Sequence, residues 1–180
     1  MKYLLCLCLT FMTSISLAQD LEPTKTPAAT KGKSFINSSQ PFLLIDDVNR
    51  QAEAWATCVA VWQIMSELFN ESKAQADEYS NLGNGAKMAI VMTFVSSVIS
   101  EDKSNQKKFS STWTLAKTLM DSMPEVKLTS IMADLEARGM DAWSEDFKPT
   151  LAQCTNNLET QQMYVDSWRS LAASGLLDFK

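Results

Sequence analysis

Residues 46–69 read DDVNRQAEAWATCVAVWQIMSELF. Val48, Ala52, Trp55, Val59, Trp62, Ser66 and Phe69 follow one another in alternating steps of four and three, the spacing of one helix face. Ala54, Cys58, Val61, Met65 and Leu68 make a second row beside it. Two adjacent rows form an apolar face wider than a single neighbour covers, so this helix needs partners on more than one side. Asp46 and Asp47 stand where an N-cap and a first-turn acid suit the helix dipole. An all-α fold built around this helix is the expectation.

The rest of the chain keeps the same period. Residues 72–100 place Ala74, Tyr79, Leu82, Ala86, Ala89, Ile90, Thr93, Phe94 and Val98 at helical spacing. Gly83 and Gly85 interrupt that pattern, and each glycine costs about 1 kcal/mol of helix propensity. A break or kink at 83–85 is therefore expected. The alternative is a continuous helix against which another backbone comes close. Met88–Ile99 is apolar nearly all round and too short to span a bilayer, which predicts the most buried helix of the body. After a polar connection at 101–107, residues 108–122 turn Phe109, Trp113, Ala116, Leu119, Met120 and Met123 inward. Ser122-Met123-Pro124-Glu125 matches a capping box with proline in the first turn. It predicts a new helix running to Arg138, with Val126, Leu128, Ile131, Met132 and Leu135 inward and Gly139 as its terminator. Asp141–Phe147 reads as one or two turns. A last long helix is expected over 149–173, with Leu151, Cys154, Leu158, Gln161, Val165, Trp168 and Ala172 on one row. The sum is a single-domain bundle of five or six helices with no convincing strand.

What precedes the bundle reads differently. Met1-Lys2 is a short basic start, Tyr3–Met12 is apolar, and Ser16-Leu17-Ala18 fits a secretory cleavage site. Residues 1–18 are expected to be a cleaved signal peptide, giving a periplasmic or secreted protein without stable membrane insertion. Residues 19–41, with Pro23, Pro27 and Pro41 and no apolar period, read as a disordered polar leader whose only apolar anchor is Phe35-Ile36. The helical domain is then residues 42–180. Of four cysteines, Cys6 and Cys8 leave with the signal, and Cys58 and Cys154 remain. Both sit on apolar rows, so a single disulfide between them is expected in an oxidising compartment.

Charge and composition exclude several activities. The whole chain carries −5. Lys2 leaves with the signal and residues 19–41 hold two acids against three lysines, so residues 42–180 carry −7. Such a surface is a poor match for nucleic acid. No histidine is present, which removes Ser-His and Cys-His pairs and zinc sites of the HExxH type. Ser104-Asn105-Gln106-Lys107 matches S-x-x-K, yet it lies in a polar connection where nothing desolvates the lysine. Gly83-Asn84-Gly85 lacks the strand and the lysine-serine pair of a phosphate loop. Asn37-Ser38-Ser39 and Asn70-Glu71-Ser72 match the glycosylation pattern, which matters only in a eukaryotic secretory route. No cofactor and no metal ligand set is read from the sequence.

Glu136, Asp141, Glu145 and Asp146 form the densest acidic stretch, with Trp143 in its middle. The plain reading is a solvated face, with Trp143 as a core plug. The sharper reading makes Asp141, Trp143, Glu145 and Asp146 a partner-binding patch, an aromatic anchor rimmed by acids for a basic protein. On these grounds the expected function is that of an exported, non-enzymatic helical protein binding another protein in the cell envelope. An inhibitor or immunity-type protein blocking a secreted hydrolase is the first alternative. A carrier of lipid or small apolar ligands, with tryptophans and Met88–Ile99 lining a cavity, is the second. A hydrolase using the 136–146 carboxylates is the third.

Overall fold

The computed structural model describes residues 35–36, 40–101 and 106–174. Within them the chain is helical and contains no strand. The elements are a 3₁₀ turn at Phe42–Leu44, α1 (Val48–Leu68), α2 (Lys73–Glu101), α3 (Gln106–Arg138), α4 (Met140–Ala142), a π turn (Trp143–Phe147), α5 (Lys148–Asn156) and α6 (Leu158–Ala173). Five of the six α-helices have nine residues or more, and one disulfide joins Cys58 to Cys154. The all-helical, stapled bundle is therefore the observed fold. The signal-like residues 1–18, the leader up to residue 34, the first glycosylation-type triplet at 37–39 and Ser104-Asn105 lie outside the described residues.

α1 is the axis of the bundle. From Gln51 to Met65 only Glu53 and Gln63 are exposed. A helix covered on nearly every side has little amphipathic contrast, which is why its two apolar rows asked for several neighbours. α2, α3 and α5 all pack on it. Asp47 caps it, its Oδ1 accepting from the Arg50 amide at 2.8 Å. α2 returns antiparallel after a short turn. Ser66 donates to the Ala76 carbonyl at 2.9 Å, Phe69 meets Tyr79 at 5.5 Å between ring centroids, and Trp62 stacks on Tyr79 at 5.9 Å. The most continuously buried stretch is thus α1 and not Met88–Ile99. Met88, Phe94, Ser96 and Ser97 of that segment are only half-buried.

Three expected boundaries are corrected. α2 runs unbroken through Gly83 and Gly85. Tertiary packing outweighs the propensity cost here. A Cβ on Gly83 would lie 3.6 Å from Trp62 Cβ, and one on Gly85 would lie 2.3 Å from Gln161 Nε2 of α6. The second glycine marks the close approach that was the alternative, made by a side chain. Gly83→Ala is therefore expected to stabilise the protein by about 0.5–1 kcal/mol, since the new methyl meets only ordinary contact distance. Gly85→Ala is expected to show little or none of that gain, because Gln161 must leave its 3.2 Å bond to the Leu82 carbonyl, a loss of about 1 kcal/mol. Parallel thermal melts decide the pair; a Gly85→Ala protein stabilised as much as the Gly83→Ala protein would refute the cost of the close contact.

α3 does not restart at Pro124. The inward row Ala116, Met120, Pro124, Leu128, Ile131 and Leu135 crosses the proline in steps of four and three, and Pro124 is itself buried in that row. Packing along the row holds one helix where local chemistry offered a cap. α5 and α6 are separate where one helix was expected, and Asn157 makes the break, at φ −106° and ψ 13°. Its side chain is spent on the chain's N-terminal part. Asn157 Oδ1 accepts from the Phe42 amide at 2.9 Å and Nδ2 donates to the Gln153 carbonyl at 2.9 Å.

That contact also ties residues ahead of α1 to the body. Residues 35–36 and 40–44 are a strap along α5. The Ile36 amide donates to Thr150 Oγ1 at 3.3 Å, Gln153 Nε2 to the Gln40 carbonyl at 2.8 Å, and Gln51 Nε2 to the Phe42 carbonyl at 2.8 Å. Phe35 and Phe42 enter the core with 5% and 0% of their surface exposed. Phe35-Ile36, read as the sole anchor of a disordered leader, is an anchor on the chain's own body. The Ile36 amide, the Gln40 carbonyl and the buried Phe42 amide would each lose the partner named here if Thr150, Gln153 and Asn157, respectively, were apolar.

Candidate functional site

The acidic arc is built on a sharp turn. α3 ends at Arg138, and Gly139 takes φ +56°, a left-handed value that favours glycine. The chain then passes through α4 into the π turn, which brings Asp146 back toward the last turn of α3. The π turn has a local cause. Pro149 has no amide to offer the Glu145 carbonyl, and its ring would crowd it. Widening the preceding turn by one residue relieves the clash, with the Lys148 amide bonding Trp143 O.

Arg138 sits at the centre. Its Nε donates to Asp134 Oδ1 at 3.0 Å, its Nη2 donates to both Asp134 and Asp146, and Glu145 Oε2 lies 3.8 Å from Nη1. The hydrogen bonds that Arg138 donates to Asp134 and then to Asp146 raise the guanidinium's pKa still further. Residues 134–148 contain five acids against Arg138 and Lys148, a net of −3. Two of those acids hold the arginine and pin α3 to the π turn. Glu136, Asp141 and Glu145 remain exposed on the outside of the arc.

Each predicted patch residue can now be placed. Asp141 and Glu145 face solvent; Asp146 is three-quarters covered and structural. Trp143 is half-buried, stacks on the fully buried Phe147 at 4.5 Å and 14°, and packs against the core. It is the plug under the turn. Of the four patch residues, only the acids Asp141 and Glu145 are exposed. Among the described residues no three Cys, Asp or Glu side chains converge as a metal set.

Other candidates take definite places as well. Gly83-Asn84-Gly85 is helix interior and not a loop. Asn70-Glu71-Ser72 lies in the turn between α1 and α2. Both described cysteines are bonded to each other, so neither is a thiol nucleophile. Tyr164 is buried against Trp55 with ring centroids 6.1 Å apart, and burial pushes its phenol up despite hydrogen bonds with Thr93 and Gln51. At neutral pH it is an uncharged hydrogen-bonding group. Sequence reading missed Arg138, although Asp134 and Arg138 stand four apart on one helix, the spacing of an ion pair. It also missed Thr150, Gln153 and Asn157, whose signal was polar residues on an otherwise inward face. No helix among the described residues is long and apolar enough to cross a membrane. No protein-family model, curated protein or solved structure matches this chain.

Proposed function

We propose that this is an exported, non-enzymatic protein that works by holding a basic protein partner in the cell envelope. The observation that carries the reading is an acidic arc fixed rigidly on a disulfide-stapled body. Export supplies the oxidising compartment in which such a bond persists, and the first eighteen residues have the pattern of a cleaved signal. Mass analysis of the mature protein is the check on that part, with Gln19 as the expected first residue.

The partner's chemistry follows from charge. Asp141 and Glu145 project from a turn that Arg138 and Trp143 hold in place, so little side-chain order has to be lost elsewhere when a cation docks. Surface acids of this kind act mainly on association rate and selectivity. Inhibition of a secreted basic hydrolase is one form this binding takes; adapting one envelope protein to another is the other. The expected result is stoichiometric capture of one basic protein from an envelope extract. Capture should weaken several-fold in the Asp141→Lys, Glu145→Lys double variant and fall again with added salt. Asp146 must be left intact, because its loss would release Arg138. Capture indifferent to both salt and reversal would sink the proposal, as would a hydrolytic activity lost when Glu145 becomes Gln.

A further inference from the structure

The face of α3 turned away from the body carries a second regular row. Leu115, Leu119, Ser122, Val126, Thr129 and Ala133 follow one another in alternating steps of four and three. Leu119 is half-buried and the other five are exposed. Leu115 shows 56% of its surface and Val126 68%. Val126 was expected inward, but it stands two residues past the inward-facing Pro124, about 200° round a helix that continues through the proline. Met132, also expected inward, is exposed on the flank of the row.

The row suits dry contact with another helix. It holds no charged residue. Its hydroxyls are already spent, Ser122 donating to the Thr118 carbonyl and Thr129 to the Glu125 carbonyl, each at 3.0 Å. Burying them leaves no donor unmet.

The row is also complementary to itself. Two copies of α3 can be laid antiparallel about a twofold axis beside residue 124. Leu115 of one copy then faces Ala133 of the other, Leu119 faces Thr129, and Val126 faces Ser122. Every large side chain meets a small one, as knobs-into-holes packing across an isologous interface requires. The charges agree with the same register. Asp121, Glu125, Asp134 and Glu136 stand level with Lys127, Met123, Thr114 and Thr112 of the other copy, so no acid opposes an acid.

We propose that α3 is the seam of a homodimer, in which a second copy of this chain packs its own α3 antiparallel on the row from Leu115 to Ala133. The row is about 27 Å long and one helix wide. That is less than a stable complex buries, so the dimer is weak and forms as concentration rises. It sets the two acidic arcs at opposite ends of the paired helices. The seam itself stands without any reading of those arcs.

Sedimentation equilibrium of the full protein, from about 10 μM to about 1 mM, is the test. A monomer–dimer equilibrium is expected, with no larger species because the twofold closes the interface. Val126→Glu and Leu115→Glu, exposed changes that leave the core untouched, should each weaken dimerisation at least about tenfold while the melting temperature holds. Adding Ala133→Lys to the Leu115→Glu chain should restore association, because the antiparallel register sets those two positions face to face. Salt should strengthen the dimer, since two bodies that each carry −7 over residues 42–180 repel one another. Salt should weaken capture of a basic protein, so the two proposals fail separately. A protein still monomeric at about 1 mM would overturn the inference and leave the face to solvent or to a different protein. So would a dimer indifferent to Val126→Glu, a Leu115→Glu chain that Ala133→Lys does not restore, or association that falls with salt.

Discussion

Replacing Cys58 and Cys154 together by alanine is expected to destabilise the protein by about 4–5 kcal/mol. The two residues stand 96 apart in sequence, with Cα atoms 5.5 Å apart in the fold. In the chain-entropy account, a bond closing so long a loop acts by restricting the unfolded chain, and its effect grows with the logarithm of loop length. The folded side adds less: both cysteines are almost wholly buried, and alanine leaves only a small void at each. For a domain whose total stability is of order 5–15 kcal/mol, this loss takes away a large share. Urea unfolding should show the midpoint falling by about 2 M with an m-value that rises, because the open chain exposes more surface than the cross-linked one. The native bond should resist mild reductant in the folded protein, where its sulfurs are shielded by α1 and α5. A midpoint shift below about 0.5 M would mean that the α1–α5 contact holds itself together without the bond.

How much of this was legible follows the reach of each signal. α1 was readable because its burial is written in a 24-residue run of continuous period, and the disulfide because only two cysteines lie beyond the signal-like segment. The end of α3 was readable because Gly139 does what a glycine after a helix does, and Asp47 caps α1 for an equally local reason. Errors fell where a distant residue decides a local choice. Gly83 and Gly85 look like breakers until Trp62 and Gln161 are set against them. Pro124 looks like a start until its own ring is found in the inward row. Asn157 looks unremarkable until the Phe42 amide, 115 residues away, is found to need an acceptor. The acidic stretch was visible as composition, but its division into structural and exposed acids depends on Arg138 reaching across the turn. Composition carries no information about which carboxylates a guanidinium will claim. The contact of α6 on α2 left one trace, the polar Gln161 on an otherwise apolar row.

Phe42 is where the strap meets the core, and Phe42→Ala is expected to cost about 3–5 kcal/mol. Its ring is fully buried and meets Trp55 edge-on at 4.7 Å and 87°. Truncation removes that aromatic contact, worth about 0.5–1.5 kcal/mol beyond burial, and leaves a cavity that the surrounding helices fill only in part. It also weakens the hold on two buried hydrogen bonds, from the Phe42 amide to Asn157 and from Gln51 to the Phe42 carbonyl. The melting temperature should drop by about 10–15 °C. Leu44→Ala, two residues on and 60% exposed, should change stability by no more than about 0.5 kcal/mol. Truncations turn the same reasoning into a measurement of where the domain begins. A chain starting at Ser34 keeps every described contact and should melt like the parent, whereas one starting at Asp46 loses Phe35, Phe42 and the partners of Thr150, Gln153 and Asn157. That shorter chain should be at least as unstable as the Phe42→Ala protein. If it instead melts with the parent, the strap adds nothing to the fold, Asn157 breaks the last helix for some other reason, and the domain starts at α1.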